Sequence, residues 1–232
     1  MTLPTLIFDM DGVLVDSEAL ANDVFAEHLR RYGADITGPQ ATELFRGRSL
    51  DDCLALAVEA HGLSLPADFL DVMQAETFER LRADLQPVRH VEWALEQLGD
   101  IDRCLASSSQ PDKIDLSLEV TGLDRFFPPE RRYSAAMVER GKPHPDLFLL
   151  AADKVGRRPK DCIVIEDSAA GVTAAVRARM TAIGYCERGH NMDTLVNSGA
   201  ITFSDMRSLP AMVAGVWRNV LLFRGELPHQ QG

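Results

Sequence analysis

Two carboxylates lie two residues apart, directly after a short apolar run near the start of the sequence. Leu6-Ile7-Phe8 is typical of a buried strand, and Asp9 and Asp11 follow it. Residues two apart in an extended chain point to the same side, so both carboxylates could meet one reactive centre. Gly12 then allows a tight turn. Because ligands of open α/β sheets bind at the C-terminal edge of the strands, this stretch is a candidate active site.

Two later apolar runs also end in polar residues, and a lysine-containing turn lies between them. Arg103-Cys104-Leu105-Ala106 leads into Ser107-Ser108-Ser109, and Cys162-Ile163-Val164-Ile165 leads into Glu166-Asp167-Ser168. The intervening turn is Gly141-Lys142-Pro143-His144-Pro145-Asp146. The second run is short and continuous, as expected of a central parallel strand. Since these strands alternate with helical patterns, the sequence predicts an α/β fold with a doubly wound parallel sheet, a Rossmann-like core.

The segment of residues 17–86 shows helical periodicity and no strand signal. Ser17 is predicted to cap its first helix and Gly33 to end it. Further helices are predicted after Pro39, over residues 49–61 and from about Pro66. We therefore predict an all-helical domain over residues 17–86, inserted into an α/β core of residues 1–16 and 87–232. Insertions of this kind often form lids over the site.

The remainder of the predicted core alternates helices with strands. Helices are predicted over residues 88–98, 111–120, 145–155, 169–179 and 209–223, and further strands over 181–185 and 200–203. Residues 126–139 show no clear period. We predict an irregular loop there, which could contain a short strand.

The composition indicates a globular protein of a reducing compartment. The 232 residues are 46% hydrophobic, enough to fill one large domain or a core with a small insertion. The net charge of -11 argues against nonspecific binding to nucleic acid or to an anionic membrane. The four cysteines are scattered, without a Cys-x-x-Cys pair or a zinc spacing. No apolar run could span a membrane and no signal peptide is evident, so we expect a cytoplasmic protein.

The order of these motifs resembles that of the haloacid dehalogenase superfamily, whose phosphatases carry an Asp-x-Asp-Gly signature after their first strand. The longer stretch Asp-Gly-Val-Leu-Val-Asp-Ser-Glu, residues 11–18, is similar to the branch related to β-phosphoglucomutase. The resemblance extends from Leu6 to about Phe203. It implies a phosphatase whose helical cap is inserted after the first motif.

The resemblance also implies a role for each catalytic position. Asp9 matches the nucleophile, which would form an aspartyl-phosphate and split one hard step into two easier ones. Asp11 matches the general acid, and then the base that activates water. Ser107 matches the hydroxyl that hydrogen-bonds the transferring phosphoryl group. Lys142 matches the lysine whose ammonium reaches the nucleophile and the phosphate.

A metal ion is expected because an anionic nucleophile must attack an anionic phosphate. Hard oxygen ligands and a phosphate favour Mg²⁺. By resemblance, Asp9 would bind Mg²⁺ through its side chain and Asp11 through its backbone carbonyl. Asp167 resembles the third acidic ligand of the family, and Glu166 would bind directly or through water.

Substrate contacts are predicted at two places. One is the turn Arg46-Gly47-Arg48-Ser49 between two predicted cap helices, because the corresponding loop of this branch faces the leaving group. Arginine binds carboxylate or phosphate through two hydrogen bonds, so Arg48, and then Arg46, would recognise an acidic or polyhydroxyl leaving group such as a sugar acid. The other place is the loop with Ser108 and Ser109.

The leading hypothesis is a Mg²⁺-dependent phosphatase, monomeric or homodimeric, that hydrolyses a sugar or sugar-acid phosphate such as 6-phosphogluconate. A sugar phosphomutase of the β-phosphoglucomutase type is the first alternative. Those enzymes carry a histidine five residues after the position of Asp16, where this chain has Ala21, and Lys-Asn where it has Gln110-Pro111. A 2-haloacid dehalogenase would lack Asp11. The remaining alternative is a noncatalytic binding protein on the same fold.

Overall fold

The central element of the fold is a six-stranded parallel sheet. The structure, a computed structural model, describes residues 3–45, 50–187 and 191–226. The strands lie in the order β3-β2-β1-β4-β5-β6. They are β1 (Thr5–Phe8), β2 (Arg103–Ser107), β3 (Arg132–Ser134), β4 (Cys162–Glu166), β5 (Thr181–Tyr185) and β6 (Ile201–Phe203). The predicted doubly wound parallel sheet is confirmed.

Helices follow the strands and cover both faces of the sheet. In chain order they are α1 (Ser17–Arg31), α2 (Gly38–Phe45), α3 (Leu50–His61), α4 (Phe69–Asp84), α5 (Val91–Gln97), α6 (Pro111–Thr121), α7 (Asp146–Lys154), α8 (Ala169–Arg177), α9 (Met192–Ser198) and α10 (Leu209–Phe223). Leu6 and Phe8 of β1 pack into an apolar cluster with α5, α6 and α10. Ile7 points to the other face and packs with α7, α8 and α9. This alternation along β1 buries it on both sides, as a central parallel strand requires.

The sheet register brings three strand ends together. Phe8, the last residue of β1, lies opposite Leu105 of β2 and Ile165 of β4. The backbone N–H of Asp9 still donates to the carbonyl of Ile165, at 2.9 Å. Parallel strands end at one edge, so Asp9, Ser107 and Glu166 emerge side by side there.

The helices α1 to α4 have an apolar core of their own. The cluster includes Val24, Phe25 and Leu29 of α1 with Phe69 and Met73 of α4, all buried. We propose that this cap spans residues 17–86, within a core of residues 1–16 and 87–232. The boundary is supported by the backbone N–H of Asp16, which donates to the Gln86 carbonyl at 3.0 Å, so the chain leaves and returns at neighbouring points.

One local expectation, the possible short strand within residues 126–139, is confirmed, and another, at Ser17, was wrong. Residues 132–134 of the predicted irregular loop form the edge strand β3, which pairs with β2. Ser17 is not the cap of α1 but its first residue, and its hydroxyl donates a hydrogen bond to Asp11 instead.

The four cysteines are buried free thiols. None of the helices in the described ranges is long and apolar enough to cross a membrane.

Candidate active site

A buried lysine connects two of the strand ends. Lys142, which lies just before α7, places Nζ 2.5 Å from Asp9 Oδ1 and 2.7 Å from Glu166 Oε1. Nζ also donates to the Ala106 carbonyl of β2, at 3.2 Å. The side chains of Lys142, Asp9 and Glu166 are 5%, 10% and 0% exposed. The ammonium is therefore fixed among acceptors from three adjacent strands.

The charges in this cluster govern its protonation. Burial lowers the pKa of Lys142, but the adjacent carboxylates of Asp9 and Glu166 outweigh it, so the net shift is upward. Burial raises the pKa of Asp9 to about 7, assisted by Glu166 and opposed by Lys142. Lys142 thus stays charged, and Asp9 has more negative neighbours than a single ammonium can neutralise.

Glu166 is held by a turn built around its carboxylate. Its Oε2 accepts from the backbone N–H groups of Asp167 and Ser168, at 2.9 and 2.8 Å, and from the Ser168 hydroxyl at 2.9 Å. Its other oxygen accepts from Lys142. Gly171 of α8 leaves the space that this carboxylate occupies, since a Cβ there would overlap it. Glu166 therefore positions Lys142 and the start of α8.

A group of carboxylates at this edge fits a metal ion. One oxygen each from Asp9, Glu166 and Asp167 lie within 4.8 Å of one another. Burial, together with Glu166 and Asp9, raises the pKa of Asp167 well above its ordinary value. Gly12, at φ 79°, makes room for the Asp167 carboxylate. Since hard oxygen donors with excess negative charge suit a divalent cation, these residues fit the predicted metal ion.

Asp11 is held by donors from both the core and α1. Ser17 Oγ donates to Oδ1, Lys113 Nζ lies 2.8 Å from Oδ1, and Ser109 Oγ donates to Oδ2 at 2.7 Å. Burial raises the pKa of Asp11, but Lys113 and these hydroxyls outweigh it and the net shift is downward. Sequence reasoning missed Ser17 and Lys113. One signal was available for Lys113, because a basic residue in the first turn of a helix opposes the helix dipole.

The serine loop after β2 is only partly directed to the site. Ser107 is buried, and its Oγ accepts from the backbone N–H of Ser109 at 3.0 Å. The Ser109 carbonyl accepts from the Ser134 hydroxyl at 2.7 Å, which fixes the loop on β3. Ser108 is exposed. The structure thus brings Ser107 and Ser109 to the edge where Asp9 and Asp11 lie.

The predicted substrate turn, Arg46-Gly47-Arg48-Ser49, lies outside the described residues, and its role stays a prediction. A cavity of about 650 Å³ adjoins the site beneath the cap. Its lining includes Glu18 and Ala21 of α1, Gln74 and Thr77 of α4, and Lys113 of α6. A second groove, of about 440 Å³, runs beside Gly12 and Asp167.

The comparisons with known proteins show the family of this chain. The sequence profile of the family described as haloacid dehalogenase-like hydrolase matches residues 6–185, from β1 through β5. The chain belongs to the haloacid dehalogenase-like hydrolase family. The match includes all six residues at the candidate site that were predicted to be catalytic or metal-binding.

Three relatives of this haloacid dehalogenase-like hydrolase are informative. The 6-phosphogluconate phosphatase of Escherichia coli (strain K12) is 24% identical over 90% of this chain and 94% of its own. A conserved haloacid dehalogenase-like protein of unknown function from Agrobacterium tumefaciens str. C58 is 34% identical, with a TM-score of 0.84 over 93% of this chain and all of its own. A hydrolase of the same family from Deinococcus radiodurans R1, solved with bound phosphate and sodium, is 30% identical, with a TM-score of 0.80 over 92% of this chain and 96% of its own.

Proposed function

We propose that this hydrolase is a Mg²⁺-dependent phosphatase that acts through an aspartyl-phosphate on a sugar or sugar-acid phosphate such as 6-phosphogluconate. It is a phosphoric monoester hydrolase of the haloacid dehalogenase type. The observation that carries the proposal is the pairing of a buried carboxylate, Asp9, with Lys142 beside Asp167 and Asp11. A nucleophile, a cation and a proton donor are what hydrolysis of a phosphate monoester requires.

The first chemical step forms a bond between an Asp9 carboxylate oxygen and phosphorus. The phosphorus–oxygen bond to the leaving alcohol breaks. Asp11, which has to be protonated against the downward shift of its pKa, gives that proton to the departing oxygen. Lys142 keeps Asp9 oriented and offsets the negative charge of the incoming phosphoryl group. The hydroxyl of Ser107, at the end of β2, would donate to a phosphoryl oxygen.

The second step hydrolyses the aspartyl-phosphate. Asp11, now ionised, accepts a proton from water, and the water oxygen attacks phosphorus. The bond between phosphorus and Asp9 breaks, which releases inorganic phosphate and restores the carboxylate. The pull of Lys113, Ser17 and Ser109 toward the ionised form suits Asp11 to this step.

Mg²⁺ would be held by Asp9, by Asp167 and by the backbone carbonyl of Asp11. When bound, it would neutralise charge on the phosphoryl oxygens and on the nucleophile. Glu166, whose carboxylate already accepts four hydrogen bonds, would act mainly by holding Lys142 and Asp167 in place. The raised pKa values of Asp9 and Asp167 support the assignment, because they reflect negative charge that a cation would relieve.

The lining of the cavity beneath the cap supports a phosphatase over a phosphomutase, which would return the phosphoryl group to a sugar. Ala21 lies in its lining, at the position where β-phosphoglucomutases carry a histidine. A methyl group cannot hold or move a proton there. The relative from E. coli named as a 6-phosphogluconate phosphatase supports a sugar-acid phosphate among the candidate substrates.

The experiment is a phosphate-release screen over hexose, hexitol and sugar-acid phosphates, with Mg²⁺ and with chelator. We expect release of inorganic phosphate from at least one of these metabolites, with no phosphoryl transfer to a second sugar. An isomerised sugar phosphate as the main product would favour the mutase. An absence of turnover over the whole panel would contradict the proposed substrate class.

A further inference from the structure

Lys113 occupies a position that its own helix disfavours. It is the third residue of α6, where the helix dipole presents positive charge, so a cation there is locally unfavourable. Its side chain is nevertheless only 26% exposed, and it pairs with Asp11 at 2.8 Å. Residues that break a local rule are expected where function requires them. The placement of Lys113 therefore calls for a tertiary explanation.

The same side chain forms part of the cavity beneath the cap. The described lining of this cavity, about 650 Å³, comes from α1, α3 and α4 of the cap and from Lys113 of the core. This volume is within the range of small-molecule sites. Lys113 thus contacts both the carboxylate proposed to protonate the leaving oxygen and a cavity large enough to hold the rest of the leaving group.

The ammonium has donor capacity beyond Asp11. A lysine carries three N–H donors, and the bond to Asp11 Oδ1 uses one of them. An oxygen of the leaving group that lies close to Asp11 can accept another without displacing that bond. Ser17 and Ser109 also hold Asp11, so Lys113 can contact a ligand while the carboxylate stays in place.

The walls of the cavity indicate the chemistry of its ligand. They combine apolar surface from Phe25, Leu70 and Phe78 with polar groups. The polar side chains are those of Glu18, Asn22, Asp71, Gln74, Thr77 and Lys113. Carboxylates and amide oxygens accept from hydroxyls, whereas lysine and amide N–H groups donate to them. A polyhydroxyl chain can hydrogen-bond to both the donors and the acceptors of the lining, and its C–H groups can pack against the apolar side chains.

We propose that Lys113 is a specificity-determining residue, which donates to a hydroxyl oxygen of a polyhydroxyl leaving group of about hexose size in this cavity. The inference rests on the proposed phosphatase activity. It extends that proposal by naming the residue that recognises the leaving group and by placing that residue on the core, not on the cap. The hydroxyls of hexitol phosphates and of 6-phosphogluconate provide the same chemistry.

The test compares Lys113→Met with the wild-type enzyme on two substrates, sorbitol 6-phosphate and n-propyl phosphate, with Mg²⁺. Both leaving groups are alkoxides that need a proton, but only the first carries further hydroxyls. We expect kcat/KM for sorbitol 6-phosphate to fall about tenfold to a hundredfold, and that for n-propyl phosphate by a few-fold at most. The exposed Lys154→Met serves as the matched control and should leave both values unchanged. Equal losses on both substrates would mean that Lys113 acts only through Asp11, which would overturn the proposal.

A binding measurement tests the same contact without turnover. In the Asp9→Asn background, calorimetry would give Kd for sorbitol 6-phosphate and for inorganic phosphate, with and without Lys113→Met. We expect the added substitution to raise Kd for sorbitol 6-phosphate at least about tenfold and Kd for inorganic phosphate far less. An unchanged Kd for sorbitol 6-phosphate would contradict the proposal, even if the wild-type phosphatase proves active. Selective weakening would support it even if turnover fails.

Discussion

Lys142 Nζ lies 2.5 Å from Asp9 Oδ1, and this ion pair spans the gap between the end of β1 and the turn before α7. The same ammonium reaches Glu166 at the end of β4, at 2.7 Å. A single cation thus fixes the candidate nucleophile to two elements that are far apart in the chain. Breaking this contact should affect both turnover and stability.

Lys142→Met tests that dual role. The substitution leaves Asp9 and Glu166 as buried carboxylates without their cation, so we expect the free energy of unfolding to fall by about 3–5 kcal/mol in chelator. Turnover should fall by about a hundredfold to a thousandfold, because a preorganised charge at the phosphoryl group is lost. Urea unfolding and phosphate release measure the two effects, with Lys154→Met as the control. An unchanged free energy of unfolding would contradict a stabilising ion pair between Lys142 and Asp9.

Asp11→Asn should have an effect that depends on the leaving group. An amide cannot give up a proton, so an alkyl phosphate should lose about a hundredfold or more in its first step. Release of p-nitrophenolate, which leaves without a proton, should slow much less in a pre-steady-state burst. A stopped-flow comparison of the two substrates would show this difference. Equal losses in the first step would remove Asp11 from the role of general acid.

Gly171→Ala probes the space that the Glu166 carboxylate occupies. Alanine favours a helix, but its Cβ in α8 would overlap that carboxylate, so we expect a net loss of about 1–3 kcal/mol of stability. Gly215→Ala in α10 is the matched control, because a Cβ there meets no atom within 4 Å. We expect it to stabilise the protein by about 0.4–1 kcal/mol. Denaturant midpoints distinguish the two. A stabilising Gly171→Ala would show that the turn around Glu166 is loosely held.

The metal assignment predicts a particular pH dependence of stability. The pKa of Asp9 is raised to about 7 by burial, above its ordinary value of 3.8. In chelator, the stability from its protonated form should therefore be present at low pH and be lost as pH rises through about 7. Asp9→Asn should flatten this loss between about pH 4 and about pH 7, and so should excess Mg²⁺ with the wild-type protein. Identical Tm profiles with and without Mg²⁺ would contradict a site at Asp9.

Turnover should also require Mg²⁺ and stop in excess chelator. Ca²⁺ should compete without supporting turnover, because it accepts looser geometry and more ligands than the octahedral Mg²⁺ ion. Full activity in chelator would eliminate the metal assignment.

Sequence reasoning located the strand ends and their polar residues because those signals are local. A buried parallel strand such as β4 reads as a continuous apolar run, and Glu166 and Asp167 follow it directly. Asp9, Ser107 and Glu166 lie side by side because parallel strands end at one edge of the sheet, and the alternation of strands and helices predicted such a sheet. Lys142 joins them through its side chain from the turn before α7.

The features that were missed, or left open as the short strand within residues 126–139 was, depend on tertiary contacts. The strand β3 has three residues and exists through pairing with β2, so its own segment shows no period. Serine is a residue type that often caps helices, but the Ser17 hydroxyl donates a hydrogen bond to the nearby Asp11 carboxylate instead. Lys113 is 102 residues from its partner Asp11, and only its unfavourable place in α6 pointed to a role.

The most direct test of the account is to trap the phosphorylated enzyme. Rapid acid quench during turnover, followed by mass spectrometry of the peptide that contains Asp9, measures whether a phosphoryl group is attached there. We expect one phosphoryl group on Asp9 in the wild-type enzyme, and none on the same peptide of Asp9→Asn, whose turnover should fall by at least about a thousandfold. Steady release of phosphate without any trapped adduct, or an adduct on a different residue, would contradict nucleophilic catalysis by Asp9.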